Sequence, residues 1–206
     1  RGAIRGGRPG RCLALVLHVG STATAGGTYR TTNYCRLAPN GSLNFESFMK
    51  GGSAMYGSFL AAAGSIQALV TDRETGIRFI GAPLGYEVSS LIEAIRMASR
   101  NDSGLTEASR ALVAGVSQPV HIQVFVTPTC PHCPRAVGLG HRMALEHPQI
   151  TAACIEATEF PDLVRRYRVT GVPKIVAVIG KNESAPIEIL GAVPETEFVG
   201  LIVGAA

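Results

Sequence analysis

Cys130-Pro131-His132-Cys133 sets two thiols three positions apart. Side chains at that spacing lie on one face of a helix, so the two sulfurs can close a disulfide or serve together as metal ligands. Thiol–disulfide exchange needs one sulfur that attacks as a thiolate and a second that resolves the mixed disulfide. Cys130, at the start of a helix, would face unpaired N–H groups and the positive end of the helix dipole, both of which stabilise S⁻. Cys133, one turn further on, would be within bonding reach but more sheltered. Pro131 stiffens the turn, and a protonated His132 would add a positive charge beside the thiolate. His121, His141 and His147 are not spaced with the pair to complete four zinc ligands, so no metal is expected. His121 is expected to begin a strand, and His141 and His147 to face solvent or cap a helix end.

The surrounding elements must hold this motif. Val120–Val126 is β-branched and closed by Thr127-Pro128, which predicts a buried strand. Ala136, Leu139, Gly140 and Met143 then recur at helical spacing up to His147-Pro148, which predicts a helix whose first turn holds both cysteines. Proline is tolerated there because first-turn N–H groups have no helical partner to lose. Ile150–Glu156 alternates like a strand, and Phe160-Pro161-Asp162 opens a short helix with Leu163, Val164 and Tyr167 on one face. Beyond Gly171-Val172-Pro173 comes the strand Lys174–Ile179, and the Asn-Glu pair of the turn 180–183 predicts a tight hairpin to Ile187–Leu190. Pro194-Glu195-Thr196-Glu197 opens a last helix with Phe198, Leu201 and Ile202 on one stripe.

The resulting order, βαβ-α-ββα, resembles the thioredoxin fold, with 130–133 as its C-x-x-C motif and Val172-Pro173 at the place of its cis-proline loop. The resemblance implies that Val172 and Pro173 bind substrate, the Val172 backbone meeting an extended peptide as sheet edges do, and that the bond before Pro173 is cis. The Pro-His pair between the cysteines is shared with the strongly oxidising bacterial periplasmic oxidases, which implies a higher potential than a Gly-Pro pair would give. The buried acid of thioredoxins is replaced here by Val124. Glu156, one strand over, is the nearby candidate for proton transfer, and a partly solvated strand-end carboxylate is the expected reading. Arg165, Arg166 and Arg168 form a basic run expected to be a solvated helix face.

Shifted by 110 residues, the chain matches itself without gaps. Ile77, Ile80, Gly81, Ala82, Glu87, Val88, Leu91 and Ile92 fall on Ile187, Leu190, Gly191, Ala192, Glu197, Phe198, Leu201 and Ile202, and the apolar run 12–17 falls on 122–127. Two tandem thioredoxin-like α/β units are expected: residues 1–104, a degenerate first unit in which 1–64 is poorly defined; 105–118, a connecting helix; and 119–206, the unit that carries the cysteine pair. Gly20, Ala23 and Ala63 stand where Cys130, Cys133 and Pro173 would be, so the first unit has no redox centre.

Composition narrows the functional classes. The 206 residues are 46% hydrophobic and 17% charged, ordinary for a folded protein. The net charge of +4 is uneven: residues 1–64 hold seven of the 19 Lys and Arg but only Glu46 of the 15 acids, so the remainder is slightly acidic. A nucleic-acid groove is therefore not supported, and no apolar run approaches the ~18 residues needed to span a bilayer. Five cysteines at 12, 35, 130, 133 and 154 are too few and too irregular for a disulfide framework. Cys12 and Cys154 lie in apolar runs that predict buried thiols, and Cys35 lies in a polar stretch.

Taken with residues 76–83 and 124–134, the two-unit chain resembles the protein disulfide oxidoreductases, or glutaredoxin-like proteins, of thermophilic archaea and bacteria. That implies a cytoplasmic enzyme exchanging disulfides with protein thiols, with Cys130 attacking, Cys133 resolving, the redox-active disulfide as its only cofactor, and a reductase or glutathione-type small thiol recharging it. Members with a second C-x-x-C in the first unit differ from this chain. Two other readings stay open: an electron relay to a peroxidase, as in the paired-fold domains of alkyl hydroperoxide reductase flavoproteins, and a non-catalytic binding module using the pair as metal ligands. Arg1–Ala25 also has the layout of an export signal, basic, then apolar, then Ala23-Thr24-Ala25; the repeat instead makes 12–17 a core strand and the protein cytoplasmic.

Overall fold

The computed structural model describes residues 12–18, 31–36, 65–70, 73–180, 182 and 184–206. Gly20, Ala23, Ala63 and the Ala23-Thr24-Ala25 stretch lie outside the described residues. The strands are β1 (Cys12–His18), β2 (Thr31–Arg36), β3 (Ser65–Val70), β4 (Arg73–Ile80), β5 (Val120–Val126), β6 (Ile150–Glu156), β7 (Lys174–Ile179) and β8 (Ile187–Leu190). The helices are α1 (Glu87–Arg100), α2 (Glu107–Val113), α3 (Cys133–Glu146), α4 (Pro161–Arg166) and α5 (Glu195–Val203).

All eight described strands form one sheet in the order β2-β1-β3-β4-β6-β5-β7-β8. Within 12–80 the spatial order is second, first, third, fourth strand, and within 120–190 it is the same. The halves differ in one pairing: β2 runs antiparallel to β1, whereas β6 runs parallel to β5. A parallel pair needs a crossover of a dozen or more residues, and α3 supplies it between β5 and β6. β4 pairs in parallel with β6, Phe79 opposite Cys154, and so joins the halves edge to edge. Gly81 (φ +91°) and Gly191 (φ +87°), matched by the repeat, both end their strands in the left-handed conformation that glycine tolerates.

Strand β5 shows why the register is firm. Val120, Ile122, Val124 and Val126 face the cluster beneath α3, whereas Phe125 packs on the other face with Ile155, Tyr167 and Val176. The thioredoxin-like α/β fold expected for 119–206 is present. Its details correct the sequence reading in several places. The connecting helix is α2, shorter than the expected 105–118: it starts only at Glu107, where the Thr106 hydroxyl caps it by accepting from the Ser109 N–H, and it ends at Val113. The β7–β8 connection runs from 180 to 186 and is not a two-residue turn. On α5, Val199 is buried with Phe198 and Ile202, while Leu201 is exposed, since the helix lies against the core one position round from the expected stripe.

Candidate functional site

The redox motif lies in the turn between β5 and α3. Cys130 and Cys133 form a disulfide with their Cα atoms 5.5 Å apart. Only Cys133 is helical, as the first residue of α3; Cys130 precedes the helix, held by its N–H donating to the Thr127 carbonyl (3.1 Å). The expectation that both would sit in the first helical turn is corrected accordingly: His132 is the N-cap and Pro134 occupies the first turn, where its missing N–H costs nothing. Cys133 is fully buried and Cys130 is 8% exposed, so an incoming thiolate meets Cys130 first. Pro131 and His132 are exposed beside it.

Why α3 can lie so close behind the motif is visible at Gly140. A Cβ there would stand 3.4 Å from Ala152 Cβ and Ile122 Cγ2, in contact without overlap, so only a side chain longer than alanine would push the helix off the sheet.

The peptide bond between Val172 and Pro173 is cis. Phe125 pairs with Lys174, which places Pro173 beside the end of β5, at the same end of the sheet as the cysteine turn. Val172 packs against the core cluster that contains Cys130 and Cys133. Lys174 secures this loop. Its buried ammonium donates to the Tyr167 carbonyl (2.7 Å) and the Arg168 carbonyl (3.3 Å) and pairs with Glu188 (2.9 Å), tying the end of α4 to β7.

Glu156 is buried, not partly solvated. Its carboxylate accepts from the Thr158 hydroxyl (2.6 Å) and the Glu159 N–H (2.9 Å), so it serves the turn after β6. His141 is also buried, contrary to expectation, because α3 packs on β4 and α1 as well as on β5 and β6. His147 is the C-cap of α3, and the exposed His121 lies in β5 with Nδ1 2.7 Å from the Thr151 hydroxyl. The 165–168 arginines are exposed, as expected. Cys154 is a buried free thiol, as expected.

Sequence reasoning missed what the first half contributes. The corner 81–86 wraps the end of the sheet: the Ala82 N–H donates to Glu159 Oε1 (2.7 Å), and the Tyr86 N–H donates to the Pro128 carbonyl (3.0 Å), two residues before Cys130. Glu87 follows at the start of α1, only 2% exposed, with Oε2 accepting from the Cys154 thiol (3.6 Å) and Oε1 unpaired. Burial pushes its pKa up, opposed by Ser90 and Cys154. Burial and the adjacent Glu87 push the Cys154 thiol well above its ordinary range. The repeat aligned Glu87 with Glu197, which is exposed; α3 covers α1, and that covering is a tertiary fact with no local signal. Among the described residues no group of three or more His, Cys, Asp or Glu could hold a metal ion, and no helix is long and apolar enough to cross a membrane.

Residues 120–203 match the thioredoxin domain family. Among curated proteins, an alkyl hydroperoxide reductase subunit of Staphylococcus epidermidis is 36% identical over 87 residues, 42% of this chain and 17% of that protein. The corresponding subunit of Pseudomonas aeruginosa is 28% identical over 123 residues, 58% of this chain and 24% of that protein. The chain thus matches a quarter or less of the length of these relatives. Among solved structures, a protein disulfide oxidoreductase from Aeropyrum pernix superimposes with a TM-score of 0.61 at 30% identity, covering 75% of this chain and 65% of that one. The alkyl hydroperoxide reductase subunit of Enterococcus faecalis, as its C503A mutant, gives 0.60 at 27% identity, covering 67% and 64%.

Proposed function

We propose that this protein is a thiol–disulfide oxidoreductase acting on protein substrates through Cys130 and Cys133. The observation that carries the reading is the asymmetric disulfide: one sulfur reachable, the other fully buried, at the head of a 14-residue helix and beside a cis-proline loop. In the oxidising direction a substrate thiolate attacks Cys130 Sγ, the enzyme disulfide breaks, and Cys133 leaves as a thiolate that takes up a proton. A second substrate thiol then attacks the mixed disulfide and releases Cys130. The substrate dithiol loses two electrons and two protons, which the enzyme dithiol gains; the reverse sequence reduces a substrate disulfide. The helix N-terminus supports Cys130 as the stabilised thiolate. Pro131 and His132 tune it, and Val172 and Pro173 present the edge on which substrate lies. The disulfide is itself the redox cofactor, and a reductase or small thiol recharges it.

The repeated strand order and the paired glycines Gly81 and Gly191 support two tandem units, 1–104 and 119–206, with 105–118 between them. Pairing of β1 with β2 and β3 supports reading 12–17 as a strand of the sheet and not an export signal, and with it a cytoplasmic location. A second reading, favoured by the likeness to the alkyl hydroperoxide reductase proteins, is that the dithiol relays electrons from a reductase to a peroxidase. The two share their chemistry and differ in partner.

The test is the redox equilibrium of the pair against glutathione, read by thiol labelling and mass. A reversible two-electron couple above thioredoxin's potential of about −270 mV is expected, and ~30 mV corresponds to about 1.4 kcal/mol. A pair locked in one state would sink the catalytic reading. Faster oxidation of the reduced protein by a peroxidase disulfide than by unrelated protein disulfides would select the relay.

A further inference from the structure

Four large apolar side chains stand exposed among the described residues, and two of them, Tyr86 (52%) and Leu190 (67%), flank the disulfide end of the sheet. Backbone contacts fix each to a different side of the site. Tyr86 is bound through its N–H to the Pro128 carbonyl, and Gly85 approaches that carbonyl so closely that a Cβ there would stand 2.1 Å from it. Leu190 ends β8 opposite Lys174, the residue after Pro173, and the next N–H, of Gly191, donates to the Pro173 carbonyl (2.8 Å). The redox turn and the cis-proline loop therefore each carry an apolar neighbour held in place from another part of the chain.

β6, β5 and β7 lie between β4, which leads to Tyr86, and β8, which ends at Leu190. At ~4.8 Å per strand that end of the sheet is roughly 20 Å wide, the reach of about six extended residues. A small thiol is too short to touch both sides, whereas an extended polypeptide lying across the strand ends, over the disulfide and the Val172-Pro173 loop, would cover both. We propose that Tyr86 and Leu190 are specificity-determining residues, which select an extended polypeptide with apolar residues on both sides of the cysteine that reacts. The inference rests on the oxidoreductase reading above and names its substrate class.

The test uses the full chain as Tyr86→Ser and Leu190→Ser, singly and together, with dithiothreitol as reductant. Each turnover passes two electrons from dithiothreitol, which closes its own disulfide, through the Cys130–Cys133 dithiol to the substrate disulfide, which opens to two thiols. Three substrates are compared: a disulfide-linked peptide with Phe and Leu about three residues to either side of the cysteine, the same peptide with Ser in both places, and 5,5′-dithiobis(2-nitrobenzoate). Each single variant is expected to lose about fivefold to tenfold in kcat/KM on the apolar peptide alone, and the double variant to lose the product of the two, as for separated sites. Equal losses on all three substrates, or no loss on any, would overturn the proposal. So would unchanged selectivity with a shift in sedimentation, since a second copy of the chain would then be what covers these residues. Failure of the unsubstituted protein on the aryl disulfide would instead refute the oxidoreductase reading, and this inference with it.

Discussion

The imidazole of His141 on α3 meets the ring of Phe79 on β4 edge-on, their centroids 4.9 Å apart. This contact pins the helix that begins with Cys133 to the last strand of the first half. Neither ring nitrogen of His141 has a partner in hydrogen-bond geometry, and burial lowers its pKa to about 4, with the nearby Arg78 backbone acting in the opposite direction. The ring is neutral in the folded protein at neutral pH.

A histidine held neutral makes stability depend on acid. The unfolded chain binds a proton near 6.5 and the folded protein only near 4, so stability is full above 6.5 and falls as the pH drops between those values. The expected loss is about 3 kcal/mol. Urea midpoints measured from pH 7 to pH 4 should show it, and His141→Leu should flatten the acid limb. An unchanged acid limb in that variant would assign the loss to other groups.

Glu87 acts with the opposite sign. Its folded pKa is raised above 4.5, so the folded state holds a proton that the unfolded chain has already released, and stability falls as the pH rises above 4.5 through the folded value. Glu87→Gln should remove that decline and raise the thermal midpoint at pH 8 relative to that at pH 5, compared with the unsubstituted protein. Cys154 beside it should resist alkylation in the native state at pH 8, because burial holds its proton.

Gly85 and Gly104 separate strain from contact. Both have positive φ, +56° and +66°, but a Cβ at Gly85 meets the Pro128 carbonyl at 2.1 Å, whereas at Gly104 it meets nothing within 4 Å. Gly104→Ala should cost about 1 kcal/mol for the left-handed backbone. Gly85→Ala should cost at least about 2 kcal/mol and also slow disulfide turnover, because the turn that carries Cys130 must shift. Equal costs by chemical denaturation would show that the corner yields freely.

In the proposed mechanism the cysteines divide their roles by exposure. Cys130→Ser should abolish turnover, and Cys133→Ser should still attack and accumulate mixed disulfides, seen as added mass that dithiothreitol removes. Retained turnover in Cys130→Ser would refute its assignment as the attacking thiol.

Much of the second half was legible in the sequence because its signals are local. The strand 120–126, the C-x-x-C turn, the helix behind it and the X-Pro before β7 each rest on residue types a few positions apart, where periodicity and turn chemistry act. The fully buried Cys133 and the cis bond at Pro173 then stand where that pattern and the resemblance placed them.

What only the tertiary structure decided involves partners distant in the chain. The repeat matched Glu87 to Glu197, an exposed acid at a helix start, yet Glu87 is buried because Cys154, 67 residues away, and α3 lie against it. His141 looked like a solvated residue, since a helix pattern shows one apolar face and cannot show that a second sheet strand covers another. Tyr86 gained its place at the redox turn through one backbone hydrogen bond to Pro128, and backbone groups carry no residue code. The turn that carries the cysteine pair was thus readable from spacing, while its walls came from long-range packing, which follows from how the two halves share one sheet.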